Sequence, residues 1–139
     1  MENYILKEDI SVMCVTATSF PDGVMDAHEK LHTLFPFSTE RKYYGLSRPN
    51  EQQVIIYKAA VEELIPGEAE RLNLERFILQ KGEYISIDIF NFMNDIPAIG
   101  KAFQELLADP RIDPNGICVE WYYNKTDVKC MVRILSNKI

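Results

Sequence analysis

The stretch YISIDIFNF, Tyr84 to Phe92, alternates with period two, placing Ile85, Ile87 and Ile89 on one face of a strand and Tyr84, Ser86, Asp88, Phe90 and Phe92 on the other. Downstream, Asp95 and Pro97 supply an N-cap and an early helical proline. Ile99, Phe103, Leu106 and Leu107 then give the apolar stripe of a helix ending near Asp109. Ile117–Tyr123 and Val128–Leu135 follow as a hairpin around Asn124, Lys125 and Thr126. Upstream the same order occurs. Residues 10–18, ISVMCVTAT, have strand composition. Val24, His28, Leu31 and Phe35 share one face of a helix over 22–35, with Ser19 and Asp22 as caps and Pro36 as a stop. Residues 41–46 and 52–61 form a hairpin across Ser47–Asn50.

An offset of about 74 residues lays helix on helix and hairpin on hairpin, the pattern of an internal duplication. The expected fold is α+β: two pseudo-symmetric β-α-β-β repeats, at about 10–62 and 83–136, forming a curved, mainly antiparallel sheet with helices on one face. Residues 63–82 are polar, broken by Pro66 and Gly67 and closed by Gly82, and read as a solvated connection with room for a short extended or helical piece. The isoleucines of 84–92 pack under the helix. The other face is too mixed for core and too aromatic for plain surface, so two such faces side by side predict a ligand groove.

The chain has 139 residues, 47% of them hydrophobic and 26% charged, enough for one domain with its own core. A net charge of −6 argues against direct nucleic-acid binding and favours cationic ligands. Cys14, Cys118 and Cys130 form no C-x-x-C pair and read as buried thiols in a reducing, cytoplasmic setting. The charged start, MENYILKEDI, and the lack of a long apolar run indicate neither export nor membrane spanning.

Within Cys118-Val119-Glu120-Trp121-Tyr122, period two assigns Val119 and Trp121 to the helix side and Cys118, Glu120 and Tyr122 to the groove. A carboxylate in mid-strand is costly to bury and needs a reason. One reason is a cationic ligand walled by Tyr122, Tyr84 and Phe90, each ring contributing about 0.5–2 kcal/mol. Ser86 and Asp88 would give polar edges, with Cys118 beside Glu120 and Tyr43 added by pseudo-symmetry with Cys118. The plainer alternative pairs Glu120 with Lys129 or Arg133, or turns it to water.

His28-Glu29-Lys30-Leu31-His32 fits H-E-x-x-H on a helix, the spacing of a zinc hydrolase. Against it, these are the only two histidines, and His28 falls in an apolar stripe. A Cys118 nucleophile would need one of the same histidines brought to it in space. No metal, cofactor or catalytic residue is therefore assigned.

The repeat, together with Tyr43-Tyr44-Gly45-Leu46-Ser47-Arg48-Pro49, Lys81-Gly82-Glu83-Tyr84 and Cys118-Val119-Glu120-Trp121-Tyr122, resembles the GyrI-like, or gyrase-inhibitor-like, small-molecule-binding domain. That domain is also the effector-binding module of AraC-type and MerR-type transcription regulators. The resemblance covers about residues 8–136 and implies a cleft for hydrophobic, often cationic molecules, with Glu120 at its base and Tyr122 nearby. Some relatives inhibit DNA gyrase or hydrolyse small electrophiles, so a protein partner or a turnover activity are alternatives. No helix-turn-helix precedes residue 10, and any DNA contact would come from another protein. A stand-alone binder of multidrug type is the expectation.

Overall fold

The computed structural model describes residues 1–38 and 40–135. The expected end of the second repeat, at residue 136, lies outside the described residues. The chain forms two compact units, one of Met1–Asp9 with the segment from Gln80 onward, the other of Ile10–Leu79.

The first unit contains β1 (Glu2–Leu6), β6 (Gly82–Ile89), a 3-10 turn (Phe92–Asn94), α3 (Pro97–Leu107), β7 (Cys118–Tyr122) and β8 (Val128–Arg133). Its strands are antiparallel in the order β1-β6-β8-β7. Ile85, Ile87 and Ile89 do pack under α3, with Ala102, Phe103 and Leu106 of the helix and Val128, Cys130 and Val132 of β8. Leu107, expected in the helix stripe, is exposed, and Ala102 takes its place. β6 stops at Ile89 because Asn91 adopts a left-handed φ of 53°, which turns the chain into the 3-10 turn instead of extending the alternation to Phe92. Gly82 opens the strand at φ 141° under the Arg133 side chain, which donates from Nε to Lys81 O.

The second unit contains β2 (Ile10–Thr16), α1 (Val24–Leu34), β3 (Tyr43–Pro49), β4 (Ile55–Glu62), a single helical turn α2 (Glu68–Arg71) and β5 (Glu75–Leu79), with strand order β5-β2-β4-β3. α1 buries Ala27 and Leu31, and Gly23 rather than Ser19 or Asp22 holds its N-cap position, without a side-chain bond. The first hairpin turns later than its Ser-Arg-Pro-Asn segment suggests. β3 runs through Pro49, and Asn50 Oδ1 accepts from the amides of Gln52 and Val54.

The structure adds one strand that the sequence reading did not name and corrects one expectation about solvation. The charged start forms β1, whose short polar strand pairs along β6 from Glu2↔Ser86 to Leu6↔Gly82. The connection is not uniformly solvated: Glu68 is buried, takes both Arg41 guanidinium nitrogens at 2.9 and 2.8 Å, and accepts from the amides of Leu64 and Ile65. The Arg41 hydrogen bonds hold its carboxyl down to about 2.

The helix-to-sheet contact dominates the first unit's core. Leu106, fully buried, should lose about 2–5 kcal/mol of stability on Leu106→Ala, measured by urea unfolding, whereas exposed Leu107→Ala should lose well under half as much.

Candidate functional site

Cross-strand partners in an antiparallel ladder share a face, so register decides where each candidate side chain points. Glu120 is opposite Cys130, and Cys130 is opposite Ile87; Cys118 is opposite Val132, and Val132 is opposite Ile85. Cys118, Glu120 and Tyr122 therefore lie on the α3-covered face with the isoleucines, and Val119 and Trp121 on the other. This reverses the expected phase of β7. The reason is physical: Val119 is fully buried and Glu120 only 8% exposed, so both faces of the strand are withdrawn from water and apolarity does not mark the helix side.

On this face Tyr122 donates its hydroxyl to Glu120 Oε1 at 2.5 Å. Phe92, from the 3-10 turn, meets the Tyr122 ring edge-on with centroids 5.3 Å apart. Ile87, Cys118 and Tyr122 border the α3 cluster, and Cys130 lies within it. Burial, then the charge of Glu120, pushes the Cys130 thiol up to about 12, so it is an inert neighbour. The result is a carboxylate with a phenol partner in an apolar, ring-bordered setting. Phe92, Ile87 and Cys130 were not among the sequence-derived site residues; the β8 register would have identified Cys130.

The remaining candidates do not join this group. Tyr84, Ser86 and Asp88 lie on the face away from α3. Tyr84 is buried and donates to Gln80 O, and Ser86 is buried and donates to Glu2 O. Asp88 pairs with Lys129, and Arg133 with Asp113, so the two cations offered as plain partners for Glu120 have other carboxylates. Phe90 is 67% exposed beyond the end of β6. Tyr43 belongs to the second unit, where it is buried under α1 and donates to Pro36 O. Cys118 is half-buried, whereas Cys14 and Cys130 are buried.

The histidine pair of α1 does share a face, and that face looks at the strands. His28 Nε2 is 2.7 Å from Tyr57 Oη, and the His32 ring packs 5.2 Å from Tyr43. Among the described residues no group of three or more His, Cys, Asp and Glu side chains is arranged for a metal ion, so H-E-x-x-H lacks a third ligand there. No helix among them is long and apolar enough to cross a membrane.

The architecture is that of a small α+β protein with antiparallel strands, and solved structures share it. The chain is similar to an integron cassette protein from the mobile metagenome of Vibrio cholerae, at TM-score 0.69 and 14% identity over 96% of this chain and 95% of the other. It is also similar to SAV2435, solved bound to tetraphenylphosphonium, at TM-score 0.62 and 11% identity over 95% and 93% of the two chains. At such identities the likeness is one of fold. No family model and no curated protein sequence matches the chain.

The His28 environment has a measurable consequence. Burial, and secondarily the charge of His32, lowers its imidazole from 6.5 to about 4. The unfolded chain binds this proton more readily, so the stability from keeping the ring neutral is complete above about pH 6.5 and is lost as pH falls toward 4. The loss amounts to about 3 kcal/mol. Chemical denaturation across that window should show the slope in the native sequence and lack it in His28→Asn. The loss linked to Glu68 belongs to lower pH, between its ordinary 4.5 and about 2.

Proposed function

We propose that this chain is a small-molecule-binding protein of the GyrI-like kind, taking hydrophobic cations at Glu120 on the α3-covered face of its first unit. The observation that carries the reading is the carboxylate itself. Glu120 is only 8% exposed on an apolar strand face beside the Tyr122 phenol, and a carboxylate withdrawn from water is stabilised by positive charge, which an organic cation supplies. A cation at about 5 Å would gain about 3 kcal/mol at an effective dielectric near 20. Tyr122 and Phe92 add aromatic faces of the type that attract such ligands. The apolar side chains Phe90, Met93 and Ile96, all exposed around the 3-10 turn, give a lipophilic ligand a surface to meet first.

Two further considerations support this reading. The units run through helix and strands in one order, β2-α1-β3-β4 and β6-α3-β7-β8, as a duplicated β-α-β-β protein would. A protein of similar fold has been solved with a lipophilic cation bound. The three free thiols suit a reducing, cytoplasmic setting. A role in transcription would require a DNA-binding partner.

For a ligand of about 20 heavy atoms, about 0.3 kcal/mol per atom gives about 6 kcal/mol, a dissociation constant in the tens of micromolar. Titration with tetraphenylphosphonium should give binding in that range. Glu120→Gln should weaken it by about tenfold or more, while leaving a neutral aromatic of similar size unaffected. Equal affinity of the two proteins for the cation would remove the charge role of Glu120.

A further inference from the structure

Asn115-Gly116 is the chain's single Asn-Gly pair, and it stands at a turn in the connection from α3 to β7. Asp113 holds that turn. Its Oδ1 accepts from the Asn115 amide and its carbonyl oxygen from the Gly116 amide, each at 2.9 Å. β8 holds Asp113 in its place: the Asp113 amide donates to Arg133 O at 2.9 Å, and Arg133 Nη1 donates to Asp113 Oδ2 at 3.0 Å. A Cβ at position 116 would stand 3.2 Å from Asp113 O and 3.7 Å from Arg133 Cβ, so the packing calls for glycine. Close packing has thereby set a residue without a side chain directly after an exposed asparagine.

That pairing carries a reaction of its own. The Gly116 backbone nitrogen, once it gives up its proton to water, can attack Cγ of the Asn115 side chain. A new N–C bond closes a succinimide ring, the bond from Cγ to the side-chain nitrogen breaks, and that nitrogen leaves as ammonia. Water then opens the ring at either carbonyl, giving aspartate or β-linked isoaspartate. The net exchange is ammonia for water, with no oxidant, reductant or cofactor. Glycine leaves the attack uncrowded. In the folded turn, however, the attacking nitrogen has its hydrogen committed to Asp113 O, and the Asn115 amide is tied to the same residue.

We infer that Asn115 is a site of self-deamidation that Asp113 holds in check, the reaction proceeding only from molecules in which the turn has opened. The rate in the folded protein is then the rate of the unfolded chain multiplied by the open fraction. The product places a new carboxylate two residues from Asp113, and the isoaspartate form threads the main chain through the side-chain carbon, just ahead of Cys118 at the start of β7. The site is independent of the function proposed at Glu120.

Incubation at neutral pH, followed by mass spectrometry of the peptide containing residue 115, measures the conversion. In the same buffer with urea, the unfolded chain should convert at least about tenfold faster than the folded protein. Folded Asp113→Ala and Arg133→Gln should both convert faster than the native sequence, and Asn115→Gln should not convert. Asp113→Asn, whose side-chain oxygen can still accept from the Asn115 amide, should convert more slowly than Asp113→Ala. Urea unfolding of each variant gives its globally unfolded fraction, and the gain in rate should exceed what that fraction supplies. The inference is overturned if Asn115 converts equally fast in the folded and unfolded native chain, or fails to convert when unfolded. It is also overturned if neither variant converts faster than the native sequence, or if global unfolding accounts for the whole gain.

Discussion

The hydrogen bond from Tyr122 to Glu120 is the interaction on which the first unit's chemistry turns. A carboxylate only 8% exposed beside Cys130 and Ile87 has given up most of its water, and a donor must offset part of that cost. Period two supplies one from the same strand, since the residue two places on points the same way. The arrangement holds only in the observed register. A slip of β7 by one residue would send Glu120 and Tyr122 to the opposite face and turn Val119 and Trp121 toward α3. The pairing of β7 with β8 is therefore both a fold-determining contact and the device that sets Glu120 and Tyr122 side by side under α3.

Much of the architecture was legible in the sequence because helix and strand periods differ. The isoleucines of β6, the Ile99, Phe103 and Leu106 positions of the α3 stripe, and the strand-helix-hairpin order within each half follow from spacing alone. The phase of β7 does not. Cys118-Val119-Glu120-Trp121-Tyr122 buries residues on both faces, and a polar residue in such a strand carries no label for inside or outside. The label sits on the neighbouring strand. In β8, Val128, Cys130 and Val132 alternate with Lys129, Met131 and Arg133, so the charged set marks the face away from α3. Opposing Glu120 to Cys130 then fixes the carboxylate on the helix side. Register is a non-local property, and a strand read by itself cannot contain it.

The other departures share that character. β1 is too short and polar to announce itself, and becomes a strand because β6 offers it a ladder. Glu68 looked like part of a solvated run, but Arg41, 27 residues earlier in the chain, meets it in a two-point contact that no local pattern encodes. His28 and His32 share a helix face as their spacing requires. Spacing fixes their relative direction only; the strands of the second unit decide that His28 meets a phenol.

The two faces of the same three strands answer buried negative charge in different ways. Glu120 accepts from the Tyr122 phenol, whereas Asp88 is met by the Lys129 ammonium. The same carboxylate chemistry thus appears with a phenol donor on one face and with an ammonium on the other. What separates them is whether the neighbouring side chain carries its own charge.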